Sequence, residues 1–151
     1  MLKHEAKLAG ELSGHIFFAD NWYGFDDALF AACRLLALIA DDPQRRGATE
    51  IFAAQPQSVS TPEILIDLDT AECRRFMTQF TQNAQFDDGE VITIDGVRVN
   101  FSNGWGLVRA SNTVPGLTLR FEAETEEDLE QIKQQFIQQM LQVKPNLSLN
   151  F

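Results

Sequence analysis

Two short stretches of the chain carry side chains suited to chemistry. In Arg109-Ala110-Ser111-Asn112-Thr113, a guanidinium is followed by three side chains able to donate hydrogen bonds, and Pro115-Gly116 then turns the chain. Neutral donors beside one fixed positive charge suit a phosphate group, because arginine presents a planar fork to its oxygens. In Gly10-Glu11-Leu12-Ser13-Gly14-His15, residues Glu11, Ser13 and His15 alternate, so in extended chain they project from one face. A carboxylate, a hydroxyl and an imidazole so placed can hydrogen-bond the hydroxyls of a sugar. The flanking glycines let the backbone turn sharply or approach a ligand closely. Each stretch taken alone also describes an ordinary surface turn, and most such turns bind nothing.

The elements around the first stretch are those of a sheet. Leu107 and Val108 lead into Arg109, and Leu117, Leu119 and Phe121 alternate with Thr118, Arg120 and Glu122, the period of a half-buried strand. Arg120 either supports the loop or pairs with Glu122. Upstream, Glu63–Leu68 reads as a strand, and residues 70–84 place Cys73, Phe76, Met77, Phe80 and Ala84 on one helical face. Val91–Ile94 and Val97–Phe101 flank Asp95-Gly96, a two-residue hairpin signal that Asn103-Gly104 repeats before Trp105. Residues 126–143 form the clearest helix, with Leu129, Ile132, Phe136, Met140 and Val143 on its apolar stripe. Thr125 and Asp128 make a capping-box-like start, and Glu126, Glu127 and Asp128 suit the helix dipole. Leu147–Phe151 is expected as a short edge strand. Residues 56–151 thus read as an α+β unit: an antiparallel sheet of four or five strands with two helices on one face.

Residues 1–55 read as an incomplete α/β segment. Ile16–Phe18 is a short buried-strand candidate, and Asp26 and Asp27 favour a helix start before Ala28–Ala40. That helix is apolar nearly all round, which predicts a core position without chemistry. Residues 41–47 form a linker in which Arg45 and Arg46 are expected to be solvated, and residues 49–54 form a short helix. The strands that should pair with Ile16–Phe18 and cover the helix are missing. The expectation is therefore self-association through residues 1–55, or folding of the helix against the C-terminal unit.

Composition narrows the partners. The 151 residues are 44% hydrophobic with 12 phenylalanines, which argues for a folded chain. A net charge of −10, from 22 acidic and 12 basic residues, would repel a nucleic-acid backbone, so none is expected as partner. Local cations can still hold a phosphate against that field. Cys33 and Cys73 are expected as reduced core thiols rather than a disulfide or metal site. No apolar run reaches membrane-spanning length and no signal region stands at the N-terminus, so a cytoplasmic protein without a membrane partner is expected.

Arg-Ala-Ser-Asn-Thr-x-Pro followed by Leu-x-Leu-Arg-x-Glu-Ala resembles the phosphate-binding loop of the α-D-phosphohexomutases, closest to the bacterial phosphomannomutase/phosphoglucomutases. Val114 stands where many members have Glu. Gly10–His15 resembles the sugar-recognition motif of their third domain, and Phe17 to Ala28 matches the segment after that motif in the family. The order of the two motifs is also the family's. The resemblance implies that residues 1–55 are the end of the third domain and residues 56–151 the fourth, an α+β module of TATA-binding-protein-like topology. It implies an isomerase, an intramolecular phosphotransferase that moves phosphate between C1 and C6 of mannose or glucose through a bisphosphorylated intermediate. Arg109, Ser111, Asn112 and Thr113 would clamp the non-reacting phosphate, Glu11 and Ser13 would contact sugar hydroxyls, and His15 would lie at the reacting end. The family's phosphoserine loop and its Asp-x-Asp-x-Asp loop, which holds magnesium, do not occur here. Magnesium is therefore expected in the full-length enzyme and not in this chain, which is expected to be catalytically silent. Asp67-x-Asp69 and Asp87-Asp88 are not expected to bind metal. The competing expectation is a stand-alone phosphosugar-binding or partner-binding module without mutase activity.

Overall fold

The computed structural model describes residues 5–11, 13–111, 113–149 and 151. The chain divides into two compact units, Met1–Pro56 and Gln57–Phe151.

In the first unit, strand β1 (Leu8–Gly10) pairs antiparallel with β2 (Ile16–Phe18) in the register Leu8↔Phe18 and Gly10↔Ile16. Ile16–Phe18 therefore does have a partner, contrary to the expectation from its neighbours. Asp27 caps helix α1 (Ala28–Ala40), its Oδ1 accepting the Phe30 N–H at 2.9 Å. Trp22 stacks on Phe30 at 4.3 Å and Phe18 meets the same ring edge-on at 5.5 Å. The core position expected for α1 is not observed: none of its residues is buried, Leu29 is 82% exposed, and Cys33 is exposed too. Two three-residue strands offer too little surface to cover a helix apolar on every side. The linker also differs from expectation. Arg46 Nη2 lies 2.7 Å from Asp42 Oδ1, and this contact holds the Asp42 carboxyl down to about 2. Helix α2 (Ala48–Ala53) comes next, with Glu50 accepting the Gly47 N–H at 2.8 Å.

The second unit is an antiparallel sheet with two helices. Strands β3 (Val59–Ser60), β4 (Ile64–Asp67), β5 (Glu90–Ile92), β6 (Val97–Phe101), β7 (Gly104–Ala110) and β8 (Gly116–Ala123) run in the order β3-β8-β7-β6-β5. β4 also pairs with β8, through Ile64↔Leu119 to Asp67↔Gly116, while β3 takes the far end at Ala123 and Glu122. Six strands thus fill five positions. Helix α3 (Thr70–Asn83) is capped by Asp69, and α4 (Glu126–Val143) by Thr125, whose hydroxyl accepts the Asp128 N–H at 3.1 Å. Both helices pack on the sheet face that carries Val99, Val108, Leu119 and Phe121, each 0% exposed. Phe136 of α4 is the centre of this layer. It lies 5.3 Å from Phe121 and 4.7 Å from Phe86, and a methyl group on Gly106 would come within 2.4 Å of its ring.

Two turns and the C-terminal segment differ from their sequence signals. β5 ends at Ile92 and β6 begins at Val97, so residues 93–96 form a four-residue connection rather than a two-residue turn at Asp95-Gly96. The next hairpin closes at Phe101↔Gly104, which makes Ser102-Asn103 the turn and puts Gly104 in the strand. Among the described residues the C-terminal segment forms no strand; it instead buries Leu147 and stacks Phe151 on Phe121 at 5.7 Å. Among the described residues no helix is long and apolar enough to cross a membrane.

Phe136→Ala removes a large ring from a fully buried site and is expected to destabilise the second unit by about 3–5 kcal/mol. Urea unfolding followed by tryptophan fluorescence measures this, and a loss below about 1 kcal/mol would show that the layer is organised elsewhere.

Candidate functional site

The polar loop hangs from the longest ladder in the molecule. β7 and β8 pair from Gly104↔Ala123 to Ala110↔Leu117, and residues 111–115 connect them at the last pair. Two donors converge at its base: the Ser111 N–H reaches the Gly116 carbonyl at 2.9 Å and the Cys73 thiol reaches the same oxygen at 3.1 Å. Burial pushes the Cys73 thiol up, so it stays protonated and able to donate. Gly116 admits no larger residue, because a methyl group there would lie 2.5 Å from the Ile66 carbonyl of β4. The loop's hydroxyls, by contrast, are weakly engaged. Ser111 Oγ lies 3.4 Å from each of Thr113 N, Val114 N and Thr113 Oγ1, long for hydrogen bonds. Such groups can turn to an incoming acceptor at small cost. Asn112 lies outside the described residues.

Ser111 and Thr113 line a groove of about 510 Å³ between the loop and α3, together with Thr70, Arg74, Met77 and Pro115. Arg74 had no signal in the sequence, because it becomes a neighbour of the loop only through the packing of α3. Its guanidinium makes no ion pair or hydrogen bond among the described residues. Arg109 is not part of that groove. Strand alternation puts Val108 in the core, so Arg109 projects from the opposite face, where Nη1 lies 3.6 Å from Asp95 Oδ2. The approach of residues 95–96 to Arg109 depends on glycine. Gly96 has φ +79°, and a methyl group on it would meet Val108 O at 2.3 Å and Arg109 Cβ at 2.6 Å.

The same sheet face collects further cations. Arg98 and Arg120 both lie opposite Leu107, on the two strands flanking β7, and project with Arg109. Arg98 stacks over Trp105 at 4.0 Å and donates to Asn100 Oδ1 at 2.8 Å; burial lowers its pKa. The Arg120–Glu122 ion pair is not formed among the described residues, since Glu122 instead accepts the Ser58 hydroxyl at 2.9 Å. The row of three arginines was hidden because it requires the register of three strands.

In the first unit, Glu11, Ser13 and His15 do not lie along a strand. They occupy the turn between β1 and β2, closed by Glu11 N–H to His15 O at 2.9 Å and Gly14 N–H to Glu11 O at 3.0 Å, with Gly14 at φ +90°. The Ser13 hydroxyl donates to Glu11 Oε2 at 3.1 Å, and His15 Nδ1 lies 2.5 Å from Asp26 Oδ2. The hydrogen bond and the charge of Asp26 raise the His15 pKa above its usual 6.5. The Asp26–imidazolium contact therefore stabilises the hairpin fully below about pH 6.5, and that contribution is lost as pH rises through the raised value. Among the described residues no three or more His, Cys, Asp or Glu side chains are grouped so as to hold a metal ion.

Comparison with known proteins identifies the family of the chain. Residues 1–59 match the model for the phosphoglucomutase/phosphomannomutase alpha/beta/alpha domain III, and residues 65–139 match the model for the C-terminal domain of the same family. The chain is 48% identical over 144 residues, 95% of its length, to a phosphomannomutase/phosphoglucomutase from Pseudomonas putida. It is 45% identical over 151 residues to a phosphoglucomutase from Neisseria meningitidis serogroup A. A solved structure of a phosphoglucomutase/phosphomannomutase family protein from Burkholderia thailandensis superposes with a TM-score of 0.84 at 39% identity, covering 99% of this chain and 31% of that one. The chain belongs to the phosphoglucomutase/phosphomannomutase family, the α-D-phosphohexomutases. It spans about 31% of the length of the Pseudomonas relative and 32% of the Neisseria one.

Gly96→Ala forces an L-residue into left-handed backbone against β7. It is expected to cost about 1–3 kcal/mol in urea unfolding. It should also displace the Arg109 side-chain signals, and unchanged stability would show that the 93–96 loop is free to move off Arg109.

Proposed function

We propose that this chain is the substrate-binding part of a phosphomannomutase/phosphoglucomutase, in which residues 1–55 close the third domain and residues 56–151 form the fourth. The whole enzyme moves phosphate between C1 and C6 of mannose or glucose through a bisphosphorylated intermediate. In it, Arg109, Ser111, Asn112 and Thr113 clamp the non-reacting phosphate, Glu11 and Ser13 contact sugar hydroxyls, and His15 lies at the reacting end. Arg120 supports the clamp from the neighbouring strand. The observation that carries the reading is the loop itself: its base is tied twice to the Gly116 carbonyl, while its hydroxyls are barely engaged and an arginine stands at its foot. A clamp on the distal phosphate accelerates chemistry by positioning, and serves either orientation of the sugar.

Without a phosphoserine loop or a metal loop the chain lacks the main electrostatic stabilisation of phosphoryl transfer and is silent alone. Magnesium belongs to the full-length enzyme in this reading, and hexose phosphates are the ligands. The competing reading is a stand-alone module without mutase activity: a phosphosugar-binding one predicts the same binding and the same silence, whereas a partner-binding one predicts no hexose phosphate binding at the loop. It separates from the first at the gene, where a mutase encodes the serine and aspartate loops upstream of Met1. Exposed Leu29, Leu36 and Leu38 on α1 support self-association through residues 1–55. Sedimentation should then show dimers, and a monodisperse monomer at high concentration rules this out.

Titration of the 151-residue chain with glucose 6-phosphate should shift amides of residues 109–113, with weak affinity because few contacts are made. Arg109→Ala removes a charged hydrogen bond and is expected to weaken binding by about 1.5–3 kcal/mol, roughly 10- to 150-fold. Unchanged affinity in that variant removes Arg109 from the clamp, and turnover of glucose 1-phosphate with magnesium by the chain alone overturns its silence.

A further inference from the structure

Asp26 reads from the sequence only as part of a helix start, yet the carboxylate that caps α1 is that of Asp27, at 2.9 Å from Phe30 N. Asp26 faces the other way. Its backbone forms an antiparallel bridge with Phe17 of β2. Residues opposite one another in such a pair project to the same face, and the residue two places along lies within reach of a longer side chain. His15 stands two places before Phe17, which accounts for the 2.5 Å contact between its Nδ1 and Asp26 Oδ2. The segment between them is fixed at several points. The Gly24 N–H reaches Phe18 O at 2.8 Å, Asn21 and Gly24 turn the chain at φ +57° and +80°, and Trp22 stacks on Phe30. The carboxylate is thus held by β2 on one side and by the capped start of α1 on the other.

We propose that Asp26 is the positioning residue of His15: its carboxylate accepts the Nδ1 proton, fixes the tautomer and orientation of the ring, and leaves Nε2 as the free nitrogen. The inference rests on the proposed placement of His15 at the reacting end of a hexose phosphate. There, the proton of a sugar hydroxyl passes to the Nε2 lone pair as the hydroxyl oxygen attacks the phosphorus of the phosphoserine carried by the rest of the enzyme; the new O–P bond forms, the seryl O–P bond breaks, and its electron pair leaves on the seryl oxygen. The O–H bond breaks, an Nε2–H bond forms, and the imidazolium so formed faces the Asp26 carboxylate. Other charges near the ring do not oppose this. Glu11, on the turn, adds to the rise in the His15 pKa, and Arg34 of α1 is taken up by Asp20 at 3.9 Å and by the Phe18 ring.

The test is a nitrogen-15 pH titration of the imidazole in the 151-residue chain, with His15 told apart from His4 by His15→Gln. The wild type should titrate above pH 6.5 and carry its single neutral-form proton on Nδ1. Asp26→Asn should lower the midpoint and mix the tautomers, and Asp26→Glu should restore the midpoint in part, with backbone amide spectra otherwise unchanged. If midpoint and tautomer are the same in wild type and Asp26→Asn, the proposal is overturned. Glucose 6-phosphate separates the two ideas. A ring that depends on Asp26 but ignores the sugar phosphate leaves Asp26 as its positioning residue, and removes the proton-transfer reading of His15 instead.

Discussion

Everything in the second unit is laid against one strand. Each of Leu117, Leu119 and Phe121 in β8 is fully buried, the whole of β7 is laddered to one edge of β8, and β3 and β4 divide the other. The ladder does more than bury apolar surface. Because the β7–β8 connection comes directly after the Ala110↔Leu117 pair, the polar loop has both ends fixed by strand pairing. Its orientation is that of the core. The Gly116 carbonyl then adds a cross-tie to α3 through Cys73, so the loop, the sheet and the helix layer are joined at a single oxygen. Affinity for a small anion is limited by the cost of ordering the groups that hold it, and a loop anchored this way has already met that cost in folding.

The first unit works by a different device. Its hairpin is too small to be held by a core, and side-chain contacts hold its turn instead: Ser13 to Glu11 within the turn, and His15 to Asp26 from the segment that enters α1. An aromatic cluster around Phe30 pins that segment. The polar residues of the turn are therefore placed by backbone and side-chain hydrogen bonds rather than by burial, and the His15–Asp26 contact responds to pH.

The sequence made the large elements legible because their signals are local. Residues 126–143 carry an unbroken apolar stripe behind an N-cap, and the helix runs over those residues. The alternation from Leu117 to Glu122 announced β8 in the same way. Turn geometry was less legible, because Asp95-Gly96 and Asn103-Gly104 suit several loop lengths and the register of β6 between its neighbours chose among them. The composition of α1 reports what a helix would bury and not what is present to bury it; its exposure was legible only from the missing covering strands. At the site, Arg109, Ser111 and Thr113 stood out because they lie in one short stretch. Arg74, Arg98, Asp95 and Asp26 did not, because each reaches its place through strand pairing or helix packing across the fold.

The central claim is that the loop between β7 and β8 is a phosphate clamp closed from the Arg109 face of the sheet. A crystal structure of the chain with glucose 6-phosphate tests it most directly. The account predicts phosphate oxygens within hydrogen-bonding distance of the Ser111 and Thr113 hydroxyls and of the Arg109 guanidinium, with Asp95 released from its ion pair. A phosphate seated instead in the groove beside Arg74 and out of reach of Arg109, or bound away from the loop altogether, would contradict it.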